Sequence, residues 1–158
     1  MTKIDLTDSL EKIPVKIFED SKKGSAFVAQ QIAALIKEKE AAGKKTVIGL
    51  ATGSSPKTLY AELVRMHKQE GLSFKNVITF NLDQYYPMDK DALQSYHYFM
   101  RKNLFEQTDI DPGNYHLPDG MIPKEKVKEH CRQYEKQIED AGGLDLQILG
   151  IGVNGHIG

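Results

Sequence analysis

The chain has 158 residues, of which 40% are hydrophobic and 27% charged, as in ordinary globular proteins. Its 21 basic and 22 acidic side chains give a formal net charge of −1, which argues against nucleic acid or an anionic membrane as a partner. No run approaches the ~20 apolar residues of a membrane span and no signal-peptide pattern is visible, so we expect a cytoplasmic protein in which residues 1–158 form one domain.

The first half of the chain alternates between predicted strands and helices. Residues 14–18 are predicted to form a short strand, and the following helix ends at Gly43. A second strand begins at Thr46, and the helix after it ends at Gly71. The first helix has apolar positions at helical spacing at Val28, Ile32, Leu35 and Ile36, and the second at Leu59, Tyr60, Leu63, Val64 and His67.

The second half continues this alternation. A third strand is predicted at residues 77–80, a helix at residues 94–105 and a short strand at residues 115–117. The last helix is predicted at residues 124–141 and the last strand at residues 144–151. Three of the strands are nearly continuous apolar runs, which is typical of parallel sheets covered on both sides. We therefore predict a Rossmann-like α/β fold, a doubly wound and mostly parallel sheet with helices on both faces.

The ends of two elements lead to further expectations. The chain stops just after the last predicted strand, where this architecture normally continues into a loop and a helix, so we expect the domain to be incomplete at its C-terminus.

The last helix has apolar spacing at Val127, Cys131, Tyr134 and Ile138. This spacing predicts that Cys131, the single cysteine, is a buried packing residue rather than a nucleophile.

A candidate phosphate site follows the strand at Thr46. The strand runs into Thr52, Gly53, Ser54 and Ser55, and Pro56 then suits the first position of a helix. Backbone N–H groups at a helix N-terminus lack intrahelical partners and attract anions, glycine allows close approach, and the hydroxyls offer further donors. A helix start with a serine cap and no ligand would have the same sequence.

Two other strand ends carry polar side chains that would reach the same edge of the sheet. Asp83 follows the third strand, and a carboxylate in a partly apolar crevice beside a phosphate suits proton abstraction from carbon. His156 follows the last strand, where an imidazole can shuttle protons near neutral pH. The alternatives are a turn or cap aspartate and an inert loop histidine. No second histidine or cysteine lies at metal-ligand spacing, so we expect neither a metal nor another cofactor.

Residues 150–155 match the G-x-G-x-x-G spacing of dinucleotide sites. That fingerprint belongs to the first strand-helix unit of a domain and requires an acidic residue ~20 positions later, whereas this match lies at the end of the chain. We therefore do not predict nicotinamide binding.

The chain resembles the glucosamine-6-phosphate deaminase (isomerase) family. The matching segments are Gly49-Leu50-Ala51-Thr52-Gly53-Ser54-Ser55-Pro56, Val77-Ile78-Thr79-Phe80-Asn81-Leu82-Asp83-Gln84-Tyr85, Ser95-Tyr96 and Gly150-Ile151-Gly152-Val153-Asn154-Gly155-His156-Ile157-Gly158. The likeness runs from about residue 46 to the end and covers the N-terminal part of the family's domain.

The resemblance implies conversion of glucosamine 6-phosphate and water to fructose 6-phosphate and ammonia. Asp83 would move a proton between carbons through an enol intermediate, His156 would open the sugar ring, and Asn154 would orient His156. Further pocket residues implied by the matching motifs are Gln84, Tyr96 and Gly155. The residues implied to hold the substrate phosphate are Thr52, Gly53, Ser54 and Ser55.

The sequence differs from the common family pattern at several positions. Asn154 stands where several members have an aspartate, and an amide cannot stabilise an imidazolium by charge. Gln84 replaces a frequent glutamate, which removes a negative neighbour of Asp83. The ring-opening glutamate of the family and its downstream basic residues would follow Gly158, so we expect this chain alone to turn over poorly or not at all.

Two other functions remain open. A 6-phosphogluconolactonase shares the superfamily fold and the glycine-histidine loop, but lactone opening needs no base for a carbon-bound proton. A non-catalytic sugar-phosphate sensor would keep the phosphate loop without needing Asp83 or His156. Family analogy also suggests a homo-oligomer.

Overall fold

The computed structural model describes residues 13–157. Single 3₁₀ turns lie at Phe105–Gln107, Pro112–Asn114 and Lys124–Lys126. The helices are α1 (Ser21–Ala41), α2 (Ser55–Glu70), α3 (Tyr96–Asn103) and α4 (Val127–Asp140). The strands are β1 (Thr46–Leu50), β2 (Val77–Asn81), β3 (Tyr115–His116) and β4 (Leu146–Gln147).

The four strands form one parallel sheet in the order β3-β2-β1-β4. The chain moves from β1 to β2 and β3 in one direction and then returns to place β4 on the other side of β1. Ile48 of β1 therefore lies between Thr79 of β2 and Leu146 of β4. The direction in which strands are added therefore reverses between β1 and β4. Open α/β sheets bind ligands in the crevice outside the carboxyl ends of the strands at such a reversal.

Helices pack against both faces of the sheet, as predicted. On one face the buried core joins Ile36 of α1, Leu63 of α2 and Met100 of α3 to β1 and β2. On the other face the ring of Phe80 lies 5.7 Å from that of Tyr134 in α4. Helices on both sides explain why every residue of β1 is buried.

Hydrogen bonds from two side chains hold the ladder together. The Tyr134 hydroxyl lies 2.9 Å from the carbonyl oxygen of Asn81 and 3.0 Å from that of His116 and shares its one proton between them, which joins α4 to β2 and β3. At the other edge, the Asp145 carboxylate accepts from the Val47 N–H at 2.9 Å. These contacts fix the register of the strands from which the candidate site residues emerge.

Several sequence predictions about the strands and helices need correction. Residues 14–18 do not form a strand, because they make no ladder contacts and lead directly into α1. The last strand is confined to Leu146–Gln147, since β1 offers partners only to those residues and the chain then leaves the sheet. Of the predicted helix at residues 94–105 only Tyr96–Asn103 is α-helical, and residues 124–126 form a 3₁₀ turn before α4.

Predicted burial also fails at two positions. Cys131 is exposed rather than packed, because the helical stripe on α4 touches the sheet mainly through Tyr134. Val28 is 38% exposed, and the buried stripe of α1 consists instead of Ala29, Ile32, Ala33 and Ile36. Across residues 13–157, no helix is long and apolar enough to cross a membrane.

Candidate functional site

The loop after β1 leads into α2 with a geometry that differs slightly from the predicted one. Gly53 has a φ of +109°, a conformation that glycine adopts without strain. The helix starts at Ser55 with Ser54 as its N-cap, one residue earlier than predicted. The Ser54 side chain makes no capping hydrogen bond, so its hydroxyl is not committed to the helix. The N-terminus of α2 and the hydroxyls of Thr52, Ser54 and Ser55 therefore line the same cleft, an arrangement that suits an anion.

This loop forms one wall of a cleft of about 280 Å³ at the carboxyl ends of the strands. The cleft brings together the ends of β1, β2 and β4 and the start of α3. Of the residues predicted from sequence, seven line it: Thr52, Gly53, Ser54, Ser55, Asp83, Tyr96 and His156. Six further residues complete the lining: Ala51, Pro56, Leu82, Gly150, Ile151 and Gly152.

Asp83 is the carboxylate of this cleft. Asp83 is partly exposed to solvent. The cleft nevertheless desolvates its carboxylate enough to raise the pKa of Asp83 above the ordinary 3.8. The charge of His156 is near enough to oppose that rise in pKa. A carboxylate with a raised pKa, next to an imidazole, is a stronger base than a fully solvated aspartate.

Tyr96 also lines the cleft, at the first position of α3. Desolvation raises the pKa of Tyr96 to about 12; the Tyr85 hydroxyl and the Asp83 charge add to the rise, whereas the Thr52 hydroxyl acts against it. The rings of Tyr85 and Tyr96 lie 4.8 Å apart. Tyr96 therefore carries its proton at neutral pH. Its hydroxyl can donate a hydrogen bond to a ligand that lies between the β1 loop and Asp83.

His156 is held by a short turn that follows β4. Its Nδ1 lies 2.5 Å from Oδ1 of Asn154, and Gly152 N donates to the His156 carbonyl at 2.9 Å. The imidazole lies so close to Gly152 that a Cβ there would be 2.2 Å from its Cε1 atom. Gly155 has a φ of +83°, which closes the turn. The glycines at positions 152 and 155 thus shape a histidine loop.

The structure places three predicted pocket residues outside the cleft lining. Asn154 reaches the cleft only through His156, and Gly155 serves the turn. Gln84 points away, and its Oε1 accepts from the N–H groups of Tyr85 at 2.9 Å and Tyr96 at 3.1 Å. The side chain of Gln84 thereby ties the segment after β2 to the start of α3.

Sequence reasoning missed the part that Gly152 plays. The sequence left the glycines of the G-x-G-x-x-G match without a role, and the close approach of the His156 ring explains the second of them, Gly152. A glycine four residues before a strand-end histidine was the available signal. In residues 13–157, three or more metal-ligating side chains do not cluster in a way that could hold an ion.

Comparison with known proteins gives the family. The profile described as glucosamine-6-phosphate isomerases/6-phosphogluconolactonase matches residues 19–158. The chain belongs to this family. A glucosamine-6-phosphate deaminase of Thermoanaerobacter sp. (strain X514) is 51% identical over 92% of this chain and 54% of that protein. One from Clostridium botulinum (strain Loch Maree / Type A3) is 42% identical over 99% of this chain and 57% of that protein.

Solved structures of the glucosamine-6-phosphate isomerase/6-phosphogluconolactonase family have the same fold. A protein described as a monomeric glucosamine-6-phosphate deaminase superposes with a TM-score of 0.85 at 37% identity, over 92% of this chain and 58% of that one. A 6-phosphogluconolactonase from Thermotoga maritima gives a TM-score of 0.73 at 26% identity, over 90% and 61%. These comparisons confirm the predicted family and fold class. The chain spans about half the length of the curated relatives it matches.

Proposed function

We propose that this chain carries the phosphate loop, carbon base and ring-opening histidine of a glucosamine-6-phosphate deaminase. The observation that supports this most directly is the presence of Asp83 and His156 in one cleft with residues 52–55. The deaminases among the relatives support the same substrate. The sugar phosphate would bind with its phosphate at the N-terminus of α2 and its reacting carbons toward Asp83.

In this proposal His156 opens the pyranose ring. The amide oxygen of Asn154 can only accept, so the neutral imidazole carries its proton on Nδ1 and leaves a lone pair on Nε2. Nε2 takes the proton of the anomeric hydroxyl and delivers a proton to the ring oxygen, which breaks the bond between that oxygen and C1. The product of this step is the open-chain aldehyde.

Asp83 then carries out the isomerisation. Its carboxylate takes the proton from C2, the electron pair of that bond forms a C1–C2 double bond, and the C1 oxygen takes a proton from solvent to give the enol. Return of a proton to C1 leaves C2 as an imine, and water replaces the nitrogen to give the ketone of fructose 6-phosphate and ammonia. The raised pKa of Asp83 favours its action as this base.

Two other functions would use the residues of the same cleft differently. A 6-phosphogluconolactonase needs a base for water but none for carbon, so Asp83 would be dispensable. A sugar-phosphate sensor would bind without turnover. The similarity to the Thermotoga maritima 6-phosphogluconolactonase is the reason to assay lactone hydrolysis as well.

The deciding experiment measures ammonia release from glucosamine 6-phosphate, lactone hydrolysis and ligand binding with the same protein. Ammonia release that Asp83→Asn abolishes supports the deaminase. Hydrolysis of 6-phosphogluconolactone that survives Asp83→Asn supports the lactonase. Binding without either reaction is expected of the sensor, and also of a deaminase without the ring-opening glutamate and basic residues that the resemblance implies; the same assays on a longer version of the protein separate these two. The absence of sugar-phosphate binding contradicts all three. The single domain, homo-oligomer and cytoplasmic location suggested by the sequence remain predictions beside this proposal.

A further inference from the structure

Tyr60 is a fully buried tyrosine in the second turn of α2, within the apolar core beneath the cleft. Its ring continues the stripe formed by Leu59 and Leu63, a position that phenylalanine would also fill. Burying a hydroxyl is unfavourable unless it finds a hydrogen-bond partner. The Tyr60 hydroxyl donates to the carbonyl of Ala51 at 2.5 Å.

Ala51 is the residue at which β1 passes into the candidate phosphate loop. The preceding carbonyl, that of Leu50, accepts from Leu82 N at 3.3 Å and from Asn81 Nδ2 at 3.4 Å. Two successive carbonyls are thus anchored in different directions. The carbonyl of Leu50 is tied to the end of β2, next to Asp83, and that of Ala51 is tied to α2.

These anchors determine where residues 52–55 lie. The loop has few backbone hydrogen bonds of its own, since Lys57 N reaches the carbonyl of Ser54 only at 3.4 Å. The hydrogen bond from Tyr60 to Ala51 links the end of β1 directly to α2, so that both ends of the loop are held by the same contact. Without the Tyr60 hydroxyl the carbonyl of Ala51 would be free to rotate. The backbone N–H groups of residues 52–55 would then no longer be held in the orientation that points them at the cleft.

We propose that Tyr60 is a positioning residue, which presents the phosphate loop to the substrate by holding the Ala51 carbonyl. The proposal rests on the proposed function in one respect, that residues 52–55 bind the phosphate group. It adds a residue that lies outside the cleft lining and touches no substrate.

The test compares Tyr60→Phe with Tyr86→Phe in the full chain. The Tyr86 hydroxyl also donates to a backbone carbonyl, that of Ile122 at 2.8 Å, but Tyr86 lies outside the cleft lining. The ¹⁵N-labelled proteins are titrated with inorganic phosphate and with glucosamine 6-phosphate. We expect Tyr60→Phe to weaken both affinities about tenfold, equivalent to about 1.4 kcal/mol, and Tyr86→Phe to leave them unchanged.

A second readout separates positioning from stability and from the function itself. Hydrogen exchange at the amides of residues 52–55 is measured without ligand, and we expect it to accelerate in Tyr60→Phe alone. Where turnover is measurable, KM rises while kcat is kept, as expected for lost substrate binding. Unchanged affinity and exchange in a folded Tyr60→Phe protein would overturn the proposal. A wild-type protein that binds neither ligand would contradict the proposed function, while the exchange experiment would still test the anchor.

Discussion

The Oδ1 atom of Asn154 lies 2.5 Å from Nδ1 of His156, in the turn that follows β4. An amide oxygen accepts but does not donate, so we expect the proton of the neutral ring to reside on Nδ1 and the lone pair on Nε2. In the proposed function Asn154 would orient His156 without supplying charge.

The first prediction concerns that tautomer. In ¹⁵N NMR spectra at high pH, His156 should show the Nδ1–H form, and Asn154→Ala should remove this preference. Because ring opening needs the lone pair on Nε2, we expect Asn154→Ala to lower deamination about tenfold or more. A neutral His156 with its proton on Nε2 in the wild-type protein would contradict the assignment.

The second prediction concerns the pH dependence of Asp83. Its pKa is raised above 3.8, and the base acts only when ionised, so activity should fall as pH drops through a midpoint above that value. Carboxyl ¹³C NMR gives the same midpoint without turnover. Asp83→Asn should abolish the transition and lower the rate by a factor of roughly 100 or more. A midpoint at or below 3.8 would show that the cleft does not desolvate this carboxylate.

A third prediction uses two glycines of one loop. A methyl group at position 152 would lie 2.2 Å from the His156 ring, whereas nothing lies within 4 Å of the same position at Gly150. Gly152→Ala should displace the imidazole and reduce ring opening, while Gly150→Ala retains it. Thermal unfolding of the two variants should be similar, because the displaced group is an exposed side chain. Equal activities would mean that the ring position has no catalytic importance.

The fourth prediction concerns Gln84. Gln84→Ala removes the acceptor for the Tyr85 and Tyr96 N–H groups and should destabilise the fold by about 1 kcal/mol. Gln84→Glu keeps an acceptor and places a negative charge at the start of α3, where the helix dipole favours it. That charge should also raise the pKa of Asp83 further, moving the acidic limb of the activity profile to higher pH. Chemical denaturation and pH profiles of the two variants test both effects.

A large part of the fold could be predicted from local pattern. The apolar runs at β1 and β2 identified strands buried on both faces, and Gly71 ended α2 in the left-handed conformation. The assignment of Asp83 and His156 to one edge followed from the rule that parallel strands end on the same side. These features depend on residues close together in the chain, which is why the sequence contains them.

Other features depended on which surfaces meet in three dimensions. The stripe on α4 predicted a buried Cys131, but periodicity records only which side of a helix is apolar and not whether another element covers it. The apolar run after Asp145 predicted a long strand, yet β1 pairs with only two of its residues, and Leu149 is 54% exposed.

The sequence by itself determined the order of strands and helices from α1 onward, the family, and the three strand ends that carry polar residues, because hydrophobic spacing and turn residues act locally. Only the tertiary structure decided that Gln84 bonds to Tyr96 twelve positions away and that the hydroxyl of Tyr60 bonds to the carbonyl of Ala51. Such contacts arise from the relative placement of packed elements, which no local spacing specifies.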